Sequence, residues 1–374
     1  MRIRAFTIDT RDPGDVDELR RLFDEGVVAA ADVIAVIGKT EGNGGRNDFT
    51  RALAMSSLEQ LFAPRLGLAP EQVQDKVIFS FSGGTEGVVA PHMVVLAREQ
   101  DEDGKGGAGA KRLAVGIGHT RAFAPEEIGR MAQIEETARV VREIAESLEL
   151  ESLADVHLVQ MKGAIPEFSH AQVQAAVQAG RALRCDMVGS RAASALGVAL
   201  ALDEVPRAAL SDEVVCNDWS LYSGVASCSA KPGLERTEIV VFANSPAWSG
   251  DLVIEHGILR DILDVEGVRA VAAKLALALP LDPAASPLVG VFAKSEADPR
   301  GTIRGRRHTM LGDDDISDTR YSRCVLASVI AATLGDTRVY VSTRAEHHGP
   351  LGGGPLAILV RTHDVVARTD EARA

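Results

Sequence analysis

The sequence predicts an α/β protein made of three structurally equivalent domains about a pseudo-threefold axis, with their sheets facing one central cavity. Three observations carry that expectation. First, EQDEDGKGGAGAKR near residue 105 and ANSPAWSGD near residue 249, rich in charge, glycine, serine or proline, cut the 374 residues into stretches of comparable size, 1–104, 105–249 and 250–374. Second, each stretch repeats one order of strand and helix signals. Third, each carries a lysine, an arginine and a serine in that order, with the same separation of 29 residues from Lys162 to Arg191 and from Lys294 to Arg323. A repeat this long is not a solenoid period.

Taken in order, each stretch opens with an alternating strand-like run: RIRAFTI, RLAVGIGH or DLVIEHGI. A segment of helical period follows. It places Val16, Leu19, Leu22 and Phe23 on one face in the first stretch and Val268, Val271, Ala272 and Leu275 in the third, so each helix needs a sheet to cover. Next comes a strand that delivers a lysine: DVIAVIGK to Lys39, VHLVQMK to Lys162 and LVGVFAK to Lys294. Alanine-rich helices then present Arg51, Arg191 and Arg323. Strands ending at Ser82, Ser229 and Ser342 and closing strands HMVVLA, EIVVFA and LAILVR complete the units.

A lone lysine at a strand end is ordinarily a solvated charge, a lone arginine a helix-face residue, and a lone serine a turn former. Recurrence of all three types in all three units points instead to convergence on one cavity. Several other chemistries are disfavoured. VIGKTEGNGG resembles a phosphate loop, but the position that needs the first glycine holds Val33, so a nucleotide-dependent enzyme is the weakest alternative. His347 and His348 lack an HExxH frame or a third histidine for zinc. No GxSxG elbow surrounds any of the serines, and Cys228, adjacent to Ser229 on an extended segment, faces the other way and packs.

A hydrophobic content of 46% is ample for cores, and the net charge of −13 argues against nucleic acid. The basic cluster Arg304, Arg306, Arg307 and His308 is followed by Asp313, Asp314 and Asp315. No apolar run reaches membrane-span length, and the first residues, MRIRAFTIDTRDPGD, meet acidic residues before a signal-type core could form. A cytoplasmic protein with four reduced cysteines, and no membrane partner, is the expectation.

The motifs GKTEGNGGRNDFTRA, FSFSGGTEGVVAPH, QMKGAIP, GSRAASALG, AKSEADPRGTIRGRRHTML and EHHGPLGGGP resemble those of the cyclic amide hydrolases, the cyanuric acid hydrolase and barbiturase family, over essentially the whole chain. The resemblance implies a Toblerone-type fold, a homotetramer, and ring opening of a small cyclic imide or ureide by water without an organic cofactor. It implies Lys162 as general base and Ser229 as nucleophile. Arg51, Arg191 and Arg323 would bind substrate, as would Ser82 with Gly83, Ser229 with Ala230, and Ser342 with Thr343; Lys39 and Lys294 would complete the other Lys–Ser pairs. A structural metal ion such as magnesium, remote from the chemistry, would map to Glu296, Ala345, His348, Gly349, Pro350 and Gly353, mainly through main-chain oxygens.

The chain departs from the family pattern at three places. Thr343 and Arg344 follow the third serine where two glycines are usual; AKPGLE after Ser229 is long; and His348 replaces a usual glutamine, next to an apolar Leu351. The alternative that these departures raise is a non-catalytic or altered-specificity ligand-binding member of the same fold. For the enzyme, the residue types suit the chemistry. A lysine activates serine only as a neutral amine, and neighbouring guanidinium and ammonium charges favour that form.

Overall fold

The computed structural model describes residues 1–362 apart from Arg46, 85–86, 102–109, 181–182, 283–284 and 311–315. Most of the first glycine-rich break, residues 85 and 86 of SGGTEG, the acidic residues Asp313, Asp314 and Asp315, and the chain beyond 362 therefore lie outside the described residues.

The first four-stranded sheet joins β1 (Arg2–Asp9), β2 (Val33–Thr40), β3 (Ile78–Gly83) and β4 (His92–Glu99) in the order β1-β4-β2-β3. The second joins β5 (Arg112–His119), β6 (Val156–Ile165), β7 (Ala226–Pro232) and β8 (Glu238–Ser245) as β5-β8-β6-β7. The third joins β9 (Leu252–Leu259), β10 (Leu288–Ser295), β13 (Tyr340–Thr343) and β14 (Gly354–Arg361) as β9-β14-β10-β13. Topology and strand direction are the same in all three. The lysine strand runs antiparallel to the closing strand and parallel to the serine strand.

The repetition extends to a local irregularity. One extra residue bulges from each lysine strand, Ile34, His157 and Val289, always five residues before the lysine. A one-residue slip moves every later side chain to the opposite face, so this bulge decides which face each lysine shares with its neighbours.

Each unit has a helix after its first strand: α1 (Asp17–Asp24), α3 (Met131–Ser147) and α6 (Val265–Lys274). Each has a second after its lysine strand: α2 (Phe49–Leu66), α5 (Met187–Ala201) and α7 (Asp318–Leu334). They bury the expected stripes, including Leu19 and Leu22 on α1 and Val268, Val271 and Ala272 on α6. α5 is buried almost throughout, because the longer α3 covers the side that its counterparts leave to solvent.

Two features were not legible in the repeat: α4 (His170–Gln178) in the second unit, and the hairpin of β11 (Thr302–Ile303) and β12 (Arg306–Arg307), which carries the basic cluster. Each serine strand runs past its serine, by one residue to Gly83 in β3 and to Thr343 in β13, and by three to Pro232 in β7, where the expected strand end is clearly missed.

The three inner faces meet in one apolar cluster that draws Ile37 and Ile78 from the first unit, Val159 and Phe242 from the second, and Phe292 and Tyr340 from the third. Gln160 Nε2 donates to Ser80 Oγ (3.0 Å) and to the Tyr340 hydroxyl (3.1 Å), one residue from each unit. These three stand two positions before Lys162, Ser82 and Ser342. With a strand period of two, the next layer along the axis is therefore the lysines and serines themselves.

Candidate active site

In all three units the lysine and serine are direct Cα partners across the parallel ladder: Lys39 with Ser82, Lys162 with Ser229, and Lys294 with Ser342. Register alone therefore puts each pair on one face of one sheet. All three lysines are buried, at 2%, 6% and 0% relative exposure, which places three amines where ionisation is costly.

Their contacts differ. Lys162 Nζ lies 2.7 Å from Ser229 Oγ and donates to Phe81 O of the first unit at 2.6 Å. Lys39 Nζ lies 3.4 Å from Ser82 Oγ and donates to Gly83 O (3.1 Å) and to Val341 O of the third unit (3.2 Å). Lys294 Nζ donates to Thr343 O (3.3 Å) and Arg344 O (2.9 Å). Lys39 thus sits inside β2, held by a hydroxyl and carbonyls, and not in a phosphate-wrapping loop.

Burial, and then the Arg51 charge, push the Lys162 amine down to about 7, with Lys294 and Lys231 adding to the effect and Glu238 opposing it. Burial and Arg191 bring Lys294 down to about 8. Near neutral pH a large share of Lys162 is neutral, leaving its lone pair available to the hydroxyl of Ser229.

The arginines arrive within the first two turns of α2, α5 and α7, because the caps Asp48, Asp186 and Ser317 start those helices a few residues before them; each cap side chain accepts a helix N–H, from Thr50, Gly189 and Arg320 respectively. Arg51 lies 3.7 Å from Asp48, and Arg323 Nη2 donates to Asn43 O at 3.4 Å across the boundary with the first unit. Arg191 is held most tightly: Nε and Nη2 donate to the two carboxylate oxygens of Glu346, at 2.9 and 2.8 Å, with both residues buried. Two of its donors are thereby committed to protein.

These groups enclose a cavity of about 720 Å³. Its wall includes Arg51, Ser82, Gly83, Lys162, Arg191, Ser229, Ala230, Arg323, Ser342 and Thr343; Lys39 and Lys294, expected alongside them, stand behind that wall. Sequence reasoning did not anticipate Asn43, Met187, Val188 and Thr319 in the lining, or the anchoring carboxylate Glu346. The only signal for Glu346 was its place beside the paired histidines. Arg344 also lines the cavity. It adopts φ 66°, a left-handed conformation natural to glycine, and pairs with Asp318 at 2.9 Å.

The histidine pair is structural. His348 Nδ1 bonds Glu346 O at 2.6 Å and its Nε2 accepts from Cys228 N at 2.9 Å, while His347 binds Leu221 O (2.6 Å) and Cys216 N (2.9 Å) in the same way. Each ring has both nitrogens engaged by backbone, which leaves no ring lone pair for a metal. Cys228 is buried in the apolar cluster, on the face away from Ser229.

Of the residues expected near a structural ion, Glu296 supplies the one carboxylate. Its Oε2 accepts Ala345 N at 2.7 Å, and burial pushes the carboxyl up to about 7. Ala345 O and Pro350 O each accept one backbone N–H, from His348 and Gly353, and retain a second lone pair. Gly353 is required by space, since a Cβ there would stand 2.1 Å from Leu259 O. Among the described residues no three His, Cys, Asp or Glu side chains gather as a metal centre. An all-oxygen set of this kind suits a hard cation and not zinc.

Comparison with known proteins bears on the whole chain. The sequence profile of a family described as amidohydrolase ring-opening protein matches residues 4–361. A cyanuric acid amidohydrolase of Enterobacter cloacae is 45% identical over 371 residues, covering 97% of this chain and 100% of the relative. A cyclic amide hydrolase of Azorhizobium caulinodans is 41% identical, covering 96% of this chain and all of the relative. A solved structure, titled cyanuric acid hydrolase and ascribed to evolutionary innovation by structural concatenation, superposes with a TM-score of 0.89 at 45% identity, covering 96% of this chain and 99% of that one.

Proposed function

The chain belongs to the family of ring-opening amidohydrolases, and from that premise we propose that it hydrolyses a small cyclic amide through a Ser229–Lys162 dyad and an acyl-enzyme. One observation carries the mechanism: a buried amine, pushed down to about 7, lies 2.7 Å from the Ser229 hydroxyl at the wall of a cavity lined by arginines.

The cycle runs as follows. Lys162 takes the Ser229 proton as Oγ bonds to a ring carbonyl carbon. The ammonium then gives that proton to the ring nitrogen as the C–N bond breaks, and water, activated by the same amine, releases the opened product. Negative charge on the carbonyl oxygen faces backbone N–H groups after the serines and the arginine donors; the loss of one such donor typically costs about 3 kcal/mol of barrier. Three Ser and Arg sets offer donors on three sides of a planar ring with alternating carbonyl and N–H groups, as in cyanuric or barbituric acid or a related ureide.

No organic cofactor enters this scheme. A hard cation on Glu296 and nearby main-chain oxygens would brace the loop after β13 and take no part in any step. The same reading gives domains 1–104, 105–249 and 250–374 and a cytoplasmic homotetramer, with tetramer mass in solution as its check. No helix among the described residues is long and apolar enough to cross a membrane.

The deciding experiment assays a panel of cyclic amides for ring opening, with mass spectrometry of the protein for an adduct on Ser229. Turnover of at least one ring with a transient Ser229 adduct supports the reading; binding without turnover across the panel supports the ligand-binding alternative. Arg344 at the cavity wall favours a specificity distinct from that of a relative with glycine there.

A further inference from the structure

The three Lys–Ser pairs share one register, so something beyond the pair must distinguish the second. The ladder supplies a candidate on the other side of each lysine. The antiparallel partner of Lys162 on β8 is Glu238, and the partner of Glu238 on β5 is His119. Residues in register share a face, so His119, Glu238, Lys162 and Ser229 form one row across the second sheet. The same row reads Asp9, His92, Lys39, Ser82 in the first sheet. In the third, the rung after Ala293 with Leu356 brings Pro355 opposite Lys294, with Ile258 beyond it. Among the described residues, only the second row sets a carboxylate directly opposite its lysine; Glu346 and Glu296 act on Lys294 from outside its row.

That carboxylate is buried, at 3% exposure, and its Oε2 has no hydrogen-bond partner among the described residues. A buried carboxyl oxygen without a partner is costly and calls for a compensating role. In the first unit the corresponding His92 is already tied to Ala90 O at 2.8 Å, and proline in the third can neither carry charge nor accept a proton on its side chain.

We infer that Glu238 is the positioning carboxylate of Lys162, stabilising the ammonium that forms when Lys162 takes the Ser229 proton and so making the second pair the reactive one. This rests on the dyad reading above. No net proton passes to Glu238: the Ser229 O–H bond breaks, an N–H bond forms on Lys162, and that proton leaves with the ring nitrogen. The negative charge of Glu238 lowers the energy of the intervening cation, as a buried acid does for an imidazolium in a hydrolytic triad.

The charged groups acting on this pair come from every side. Lys162 feels Arg51 on α2, Lys294 on β10 and Lys231 on β7, all of which favour the neutral amine, against Glu238. Glu238 in turn feels burial, which favours its neutral form, against Lys231, Lys162 and Arg236, with His119 next in the row.

The test is the pH–rate profile for ring opening by the full-length protein, wild type beside Glu238→Gln, Glu238→Asp and Ser229→Ala. An isosteric amide removes the charge that favours the ammonium, so the pKa of Lys162 falls. The rising acid limb of Glu238→Gln moves to lower pH by roughly one unit, while its plateau kcat drops on the order of tenfold to a hundredfold. Glu238→Asp, which keeps the charge but withdraws it by one methylene, moves the limb the same way by less. It also serves as the readout if the glutamine variant fails to fold. A limb at the wild-type position in every folded Glu238 variant, with Ser229→Ala inactive, overturns the inference and leaves the dyad standing. Turnover retained in Ser229→Ala overturns the dyad reading, and this inference with it.

Discussion

The second and third units place their lysines identically by register, yet Lys162 lies 2.7 Å from the Ser229 hydroxyl while Lys294 turns to the carbonyls one and two residues past its serine. The difference lies in what surrounds the shared frame. In the second unit β7 continues straight past Ser229, so the lysine meets a hydroxyl. In the third, β13 ends at Thr343 and Arg344 turns left-handed, so carbonyls meet the amine. A triplicated scaffold therefore fixes position, and the residues flanking each strand end assign the role.

The sharpest way to break this comparison is to remove the hydroxyls one at a time. Ser229→Ala should lower kcat by at least about 10⁴-fold, because no nucleophile remains, with the fold intact by circular dichroism. Ser82→Ala, which removes a hydroxyl that donates to Val341 O at 3.0 Å, should cost on the order of 10²-fold, as loss of a binding or oxyanion contact does. Equal losses in the two variants would mean that the second pair is not special.

A second contrast lies among the arginines. Arg191 is clamped by Glu346, whereas Arg51 reaches Gly45 O and the Asp48 carboxylate, and Arg323 donates to Asn43 O. Glu346→Gln leaves a buried guanidinium without its counter-charge and should destabilise the fold by about 3–5 kcal/mol, read as a fall in Tm. Replacing Glu143 in the exposed Arg139–Glu143 pair should change stability by less than about 1 kcal/mol. The buried pair also has a pH signature. Arg191 holds the Glu346 carboxyl below its ordinary value against the opposing effect of burial, so its stabilisation is present above the unfolded pKa and is lost as the pH falls through the folded one.

Much of this was legible in the chain. The alternation in RLAVGIGH and the helical stripe of Val268, Val271 and Ala272 are local periodicities, and local periodicity survives in sequence. The threefold order of Lys, Arg and Ser is visible because the spacing from Lys162 to Arg191 equals that from Lys294 to Arg323. Ladder register was not legible. Glu238 looks like the first residue of an apolar strand, and only its pairing with Lys162 across β8 and β6 gives it meaning. Glu346 and Arg191 are 155 residues apart, and nothing local to either announces the other. His348 invited a ligand reading that its two backbone bonds preclude for the ring.

The gentlest perturbation asks whether the third unit's lysine is a bystander. Lys294 is fully buried and, with its amine at about 8, is mostly charged at neutral pH. From behind the cavity wall that charge disfavours a second ammonium on Lys162. Lys294→Met keeps the side-chain length and removes the charge, so the pKa of Lys162 should rise and the acid limb of the rate profile should move to higher pH by roughly half a unit to one unit. This is opposite in sign to the shift expected on removing the Glu238 carboxylate. The plateau above the limb should stay within about tenfold of wild type, since Lys294 touches no reacting atom in the proposed cycle. A Lys294→Met limb that stays in place would show that the third unit contributes shape to the cavity but no field, and the asymmetry between the pairs would then rest on the second sheet alone.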